Sequence, residues 1–357
     1  MTKTILIKVG TNVLTTSEGR LDLNLIKSLV DQISELKKNG HKVALVTSGA
    51  VGAGLELNRF SSVKNKVTRK QMLAAVGQNY LMQIYSKYFE THDVIIAQAL
   101  LSRSDFSIRK KYLNMKNTLL NLLDQDVVPI INENDVVSTE ELSFSDNDIL
   151  ASYTAALIKA DKLIILTVVD GLYDKDPSDK TAKTIEKVTK IDEKTFGMCG
   201  KSKSSLGLGG MKSKISAANV ATELGIETII ANGKTQNLKN IVEGSFKGTT
   251  FTSENNKKKS VYYWLLAGST ISGRLTIDDG AQKAILNNKS LLIVGIEKVE
   301  GNFKKGDTVE VCNKKGERIA VGIINLSSEV LTKNLSQPKE SLKNQKEVIH
   351  CDNLKIL

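Results

Sequence analysis

Two lysines far apart in the chain, each beside a glycine turn, carry the most legible chemistry. Lys8 follows the apolar run Ile5-Leu6-Ile7 and precedes Val9-Gly10-Thr11-Asn12, while Lys214 ends Gly207-Leu208-Gly209-Gly210-Met211-Lys212-Ser213-Lys214. Between them lie carboxylates and amides, Asn132-Glu133-Asn134-Asp135 and then Asp146-Asn147-Asp148. Phosphoryl transfer needs fixed positive charge at the moving group and a grip on the acceptor, with little covalent chemistry from the protein. The three histidines, His41, His92 and His350, all lie outside these clusters. A hydroxyl acceptor would want a base near neutral pKa, whereas a carboxylate, which ordinarily titrates near pH ~4.3, is already ionised at neutral pH. The pattern therefore leans toward phosphorylation of an acid.

Each cluster also has a plainer reading. A lysine at a strand end is most often a surface lysine, a Gly-rich stretch is often only a loop, and Asp146 or Asn147 would serve as a helix cap. Two features argue against the plain readings. A glycine turn after a parallel strand opens the crevice where α/β proteins bind ligands, and Thr47-Ser48-Gly49-Ala50-Val51-Gly52-Ala53-Gly54 forms a second such turn. One cap does not need three consecutive polar residues and a matching polar cluster at a neighbouring strand end. Neither glycine run has dinucleotide or Walker A spacing.

The elements that must position these residues alternate along the first 250 residues. Nearly continuous Val/Ile/Leu runs at Thr4–Val9, Lys42–Thr47, Val94–Gln98, Val127–Asn132, Leu163–Val168 and Glu227–Ala231 read as strands buried on both faces of a parallel sheet. Leu21, Leu25, Leu29, Ile33 and Leu36 recur at helical spacing, with Asp22 placed to cap and Gly40 to terminate. Further helices are expected from about Asp146 to Lys159 and from about Met211 to Leu224. This alternation predicts a three-layer α/β/α sandwich with a mainly parallel central sheet. The polar stretch 251–260 reads as a linker. Beyond it, period-two runs at Gly273–Ile277, Thr308–Cys312 and Ile319–Ile324 predict a small β-rich domain with a helix near Gly280–Leu286. The expected division is 1–256, 257–340 and a C-terminal tail over 341–357.

Length supports two domains, since 357 residues exceed one ordinary core. With 41% hydrophobic and 25% charged residues the composition is that of a globular protein, and the apolar runs are too short to span a bilayer. No secretory signal is readable, and three widely separated cysteines fit a reducing cytoplasm. The net charge is +11, and residues 257–357 hold 17 Lys/Arg against 11 Asp/Glu. That local excess of +6 keeps RNA binding as a rival reading of the C-terminal part. Trp264, Tyr262 and Tyr263 sit together near the linker instead of between the basic residues, which a stacking platform would require.

Taken together, Ile7-Lys8-Val9-Gly10-Thr11, Val46-Thr47-Ser48-Gly49-Ala50, Val128–Asp135, Asp146-Asn147-Asp148, Gly171–Pro177 and Gly207–Lys214 resemble the amino-acid kinase family over its whole length, most closely the branch acting on glutamate. Gly301-Asn302-Phe303-Lys304-Lys305-Gly306-Asp307 and the strand after it resemble a PUA domain. The resemblance implies ATP-dependent phosphorylation of the side-chain carboxylate of L-glutamate, the first step toward proline, with Mg2+ riding on the ATP phosphates. It implies that Lys8 and Lys214 neutralise the transferring group and that Asp148 holds the two lysines. It implies that Ser48, Asn132, Asp135 and Asn147 grip glutamate, with Asp146 behind them. The nucleotide would lie along Thr167, Val168, Leu208, Gly209, Gly210, Met211, Lys212, Ser213 and Lys214, with Val168 and Leu208 standing where the family commonly has Asp and Thr. The resemblance further implies a homo-oligomer (tetramer or dimer), feedback inhibition by proline, and coupling to a glutamyl phosphate reductase. Another carboxylate kinase of the same fold is the nearest alternative.

Overall fold

A computed structural model of the chain describes residues 2–56, 60, 62–137, 147–179, 181–198, 210–252, 271–336 and 347–356. The chain divides into two compact units, residues 1–104 with 115–257, and residues 105–114 with 258–357.

The first unit is built on eight strands: β1 (Thr4–Val9), β2 (Lys42–Val46), β3 (Ile96–Leu101), β4 (Val128–Glu133), β5 (Lys162–Thr167), β6 (Lys187–Val188), β7 (Glu227–Asn232) and β8 (Gly248–Phe251). They form one sheet in the order β3-β4-β2-β1-β5-β7-β8-β6. All neighbours run parallel except β7 and β8. β3 lies later than the expected Val94–Gln98, pairing with β4 from Ile96 through Leu101.

The helices are α1 (Thr11–Leu14), α2 (Leu23–Lys38), α3 (Ala50–Glu56), α4 (Lys66–Glu90), α5 (Arg103–Ser107), α6 (Arg109–Asp124), α7 (Asn147–Leu157), α8 (Glu193–Gly197), α9 (Met211–Thr222) and α10 (Leu238–Glu243). Asp22 caps α2 by accepting from the Leu25 N–H at 3.0 Å. Alternation along β1 sorts the helices into two layers. Ile5, Ile7 and Val9 join one core with Ile26, Leu29 and Ile33 of α2, Leu81 and Tyr85 of α4, and Leu238 and Ile241 of α10. Successive strand residues face opposite ways, so Leu6 and Lys8 face the other layer, where α7 packs on β1 and β5 and α9 packs on α7 and β7. The three-layer sandwich follows, and it places Lys8 under α7 and α9.

The second unit holds a five-stranded sheet, β11-β9-β12-β13-β15, and a two-stranded one, β10-β14. Their ranges are β9 (Ile271–Ile277), β10 (Leu291–Leu292), β11 (Ile296–Gly301), β12 (Thr308–Cys312), β13 (Arg318–Ile323), β14 (Glu347–Ile349) and β15 (Leu354–Ile356). The expected helix is present at Asp279–Leu286, capped by Asp278. The tail expected at 341–357 is corrected: residues 347–356 carry two strands. Val348 and Ile349 are fully buried in a core with Leu275, Val309 and Val311, which is why a mostly polar stretch still folds. No helix among the described residues is long and apolar enough to cross a membrane. Asp146, Leu208, Gly209, Trp264, Tyr262 and Tyr263, and most of the linker expected at 251–260, lie outside the described residues.

Candidate active site

At the C-terminal ends of β1, β2, β4 and β5 the chain leaves a cleft of about 1300 Å³. Parallel sheets bind ligands at this edge because the strands end there and the loops diverge. Lys8, Ser48, Asn132, Asp135, Asn147, Thr167, Val168 and Lys214 all line it.

One pole is ionic. Lys8 reaches Asp148 Oδ1 at 2.5 Å and Lys214 reaches Asp148 Oδ2 at 3.0 Å. Asp148 is fully buried, and the two lysines are 2% and 6% exposed. Three elements supply them: β1 by strand alternation, α7 through its first turn, and α9 at its fourth residue. Burial alone would push the Asp148 carboxyl up, but the charges of Lys8 and Lys214 and their hydrogen bonds outweigh it and hold the group below the usual carboxylate range. Two ammonium groups share one carboxylate, so the trio keeps a net positive charge at the cleft wall.

The other pole is a network of neutral amides. Asn147, next to Asp148 on α7, donates through Nδ2 to the Thr47 carbonyl at 2.8 Å, Ser48 Oγ at 3.0 Å and Asn132 Oδ1 at 2.9 Å. Gly49, with φ of +97°, lets the chain turn from β2 into α3 in a backbone region that side chains disfavour, which keeps Thr47 and Ser48 facing Asn147. Asp135, beyond β4, lies 3.8 Å from Lys70. Burial raises its carboxyl above the ordinary value and Lys70 draws it partly back.

The structure thus gathers Lys8, Lys214 and Asp148 at one pole, and Ser48, Asn132, Asn147 and Asp135 at the other. Thr167 and Val168 lie on the same wall, Val168 exposed at 42%. Gly210, Met211, Lys212 and Ser213 lead into Lys214 at the start of α9, with Gly210 at its N-cap, and do not line the cleft. Four participants were missed from sequence. Lys70, Lys234 and Arg20 add cations to the wall, and Gln78 of α4 accepts from Asn132 Nδ2 at 2.8 Å. Nothing in their local sequence marks them.

A strand lysine and a helix lysine meet on one carboxylate at the ends of a mainly parallel sheet, and the amino acid kinase family profile matches residues 3–232. The chain belongs to that family. A PUA domain profile matches residues 273–342. The chain is similar to the glutamate 5-kinase of Caldanaerobacter subterraneus, 46% identical over 99% of this chain and 97% of that protein. It is also similar to the glutamate 5-kinase of Nostoc punctiforme, 41% identical over the full length of both. Among solved structures, a carbamate kinase from Giardia lamblia bound to AMP-PNP superposes with a TM-score of 0.54 at 18% identity, covering 71% of this chain and 99% of its own. An isopentenyl phosphate kinase from T. acidophilum follows at a TM-score of 0.51 and 18% identity, covering 70% and 99%. At that identity the two structures speak for the fold alone.

Proposed function

We propose that this chain transfers the γ-phosphoryl group of ATP to the side-chain carboxylate of L-glutamate, giving L-glutamyl 5-phosphate and ADP, as the first step toward proline. A carboxylate oxygen forms the new bond to the γ-phosphorus, and the bond from that phosphorus to the bridging oxygen breaks, leaving ADP. The acceptor arrives ionised, so no general base is needed. The observation that carries the reading is the trio Lys8–Asp148–Lys214, buried beside an amide-lined acceptor pocket.

In this reading Lys8 and Lys214 face the oxygens of the transferring group and Asp148 fixes their separation. Asp135 takes the α-ammonium, assisted by Asn147, while Ser48 and Asn132 complete the acceptor pocket, with Asp146 assigned there by resemblance. Thr167, Val168 and the segment 208–214 flank the nucleotide. Both Asp148 oxygens are engaged by lysine, so the lysine pole is no metal cage. Magnesium, which favours substrate phosphates and water over all-protein sites, would enter on the nucleotide. Residues 1–256 carry the reaction, and the appended domain runs from 257 on and takes in the strands at 347–356.

Hydroxylamine converts an acyl phosphate to a hydroxamate. Trapping across glutamate, aspartate and N-acetylglutamate should yield hydroxamate chiefly with glutamate. Equal or greater yield with another acid would reassign the substrate, and no yield with any acid would remove the reaction class.

A further inference from the structure

We infer that Gln78, a buried residue of α4 outside the cleft lining, is a positioning residue that holds Asn132 in the orientation the acceptor pocket uses. The inference rests on the glutamate reading above.

The orientation of the amides follows from groups that cannot flip. The Glu133 backbone N–H can only donate, and it meets Asn132 Oδ1 at 2.9 Å. The Thr47 carbonyl can only accept, and it meets Asn147 Nδ2 at 2.8 Å. Asn132 Oδ1 then also accepts from Asn147 Nδ2 at 2.9 Å, so Asn132 must direct its NH2 the other way. Its acceptor there is Gln78 Oε1 at 2.8 Å. Once both amides are oriented so, Asn147 keeps its carbonyl oxygen for the cleft, the polarity that suits an ammonium group. Without an acceptor at position 78 the buried Asn132 NH2 loses a partner. The opposite flip would set donor against donor at Glu133 and Asn147.

Gln78 gains little for itself. It is 7% exposed, and its own Nε2 has no hydrogen-bond partner among the described residues. A buried N–H without a partner is unfavourable, so the side chain is a poor choice for stability alone. The helix is pinned so that it reaches Asn132. A Cβ added at Gly77 would meet the Ala50 carbonyl oxygen at 1.9 Å, so α4 touches α3 backbone to backbone. Two turns beyond Gln78, on the same helix face, Tyr85 shares a hydrogen bond of 2.8 Å with Thr47 Oγ1. One face of α4 thereby braces the ends of both β4 and β2.

The test compares Gln78→Met, which keeps the volume and removes the acceptor, with Gln78→Glu, which keeps an acceptor oxygen, and with Gln78→Leu as a second apolar variant. The expected result is a KM for glutamate raised by about tenfold or more in the apolar variants, the size of one lost buried hydrogen bond. KM for ATP should be unchanged, kcat should stay within about threefold, and KM for glutamate should be near normal in Q78E. The melting temperature of Q78M should stay near that of the wild type, because the orphan N–H of Gln78 leaves as one at Asn132 appears. An unchanged KM for glutamate overturns the inference. So does a parallel rise in both KM values with a lower melting temperature, or failure of both apolar variants to fold, since each marks a purely structural residue. If the wild-type chain does not turn over glutamate, the proposed function fails on its own. Hydrogen exchange of the Asn132 side-chain amide, read by 15N-asparagine labelling, then decides: about tenfold faster exchange in Q78M than in wild type and Q78E supports the inference, and equal rates overturn it.

Discussion

Lys8 and Lys214, separated by more than two hundred residues, are held on opposite oxygens of the single Asp148 carboxylate, at 2.5 Å and 3.0 Å. Like charges resist such an approach unless an anion sits between them. The arrangement leaves one positive charge in excess, directed at the cleft. Replacing either lysine by alanine removes that excess and leaves a neutral pair. Lys8→Ala and Lys214→Ala should each lower kcat by about 10²–10³, the usual loss for one charge-stabilising group, with circular dichroism showing a native fold. Near-normal turnover in both would refute the roles given to them.

Asp148→Asn should cost both activity and stability, since two nearly buried ammonium groups would lose their counter-charge. Breaking a buried ion pair from one side costs about 3–5 kcal/mol. The folded carboxyl lies below its unfolded value, so its stabilisation is complete above the ordinary carboxylate value of ~3.9 and fades as pH falls through the lowered one. Urea melts should give a constant gap between wild type and D148N above about pH 5 and a narrowing gap below about pH 4.

Asp135 behaves in the opposite sense. Its carboxyl is raised by burial, with Lys70 drawing it partly back, so it protonates at a higher pH than an ordinary carboxylate and then loses its hold on an ammonium group. KM for glutamate should rise on acidification from above the ordinary carboxylate range. Asp135→Asn should show a higher KM without that pH dependence. A pH profile of KM in both proteins decides the matter.

The closest backbone contact behind the cleft is also testable. An added methyl at Gly77 would overlap the Ala50 carbonyl and come within 2.3 Å of the Gly54 nitrogen. Gly77→Ala should push α4 off α3 at a cost of about 1–3 kcal/mol, read as a lowered melting temperature.

Most of the first unit was legible because buried parallel strands write themselves as unbroken Val/Ile/Leu runs, and β1, β2, β4, β5 and β7 fall where those runs lie. The lysines, Asp148 and the amides were legible because polar residues at strand and helix ends have no packing reason to be there. The long helix α4 and its Gln78 were not. Gln78 sits among Leu73, Ala74, Gly77 and Leu81 as a lone polar interruption, and its partner Asn132 is 54 residues away. Local periodicity carries no record of such a pairing. The C-terminal strands were missed for a related reason, since three-residue strands flanked by charge bury only Val348 and Ile349 deeply.

The decisive measurement follows the acceptor oxygen. Glutamate carrying 18O in its side-chain carboxylate is incubated with the chain, ATP and hydroxylamine, which attacks the acyl carbon and breaks the C–O bond, and the inorganic phosphate released is weighed by mass spectrometry. Attack by the carboxylate on the γ-phosphorus puts one labelled oxygen into that phosphate. Phosphate that accumulates with glutamate present but without label would mean that water is the acceptor, and a carboxylate kinase this chain would not be.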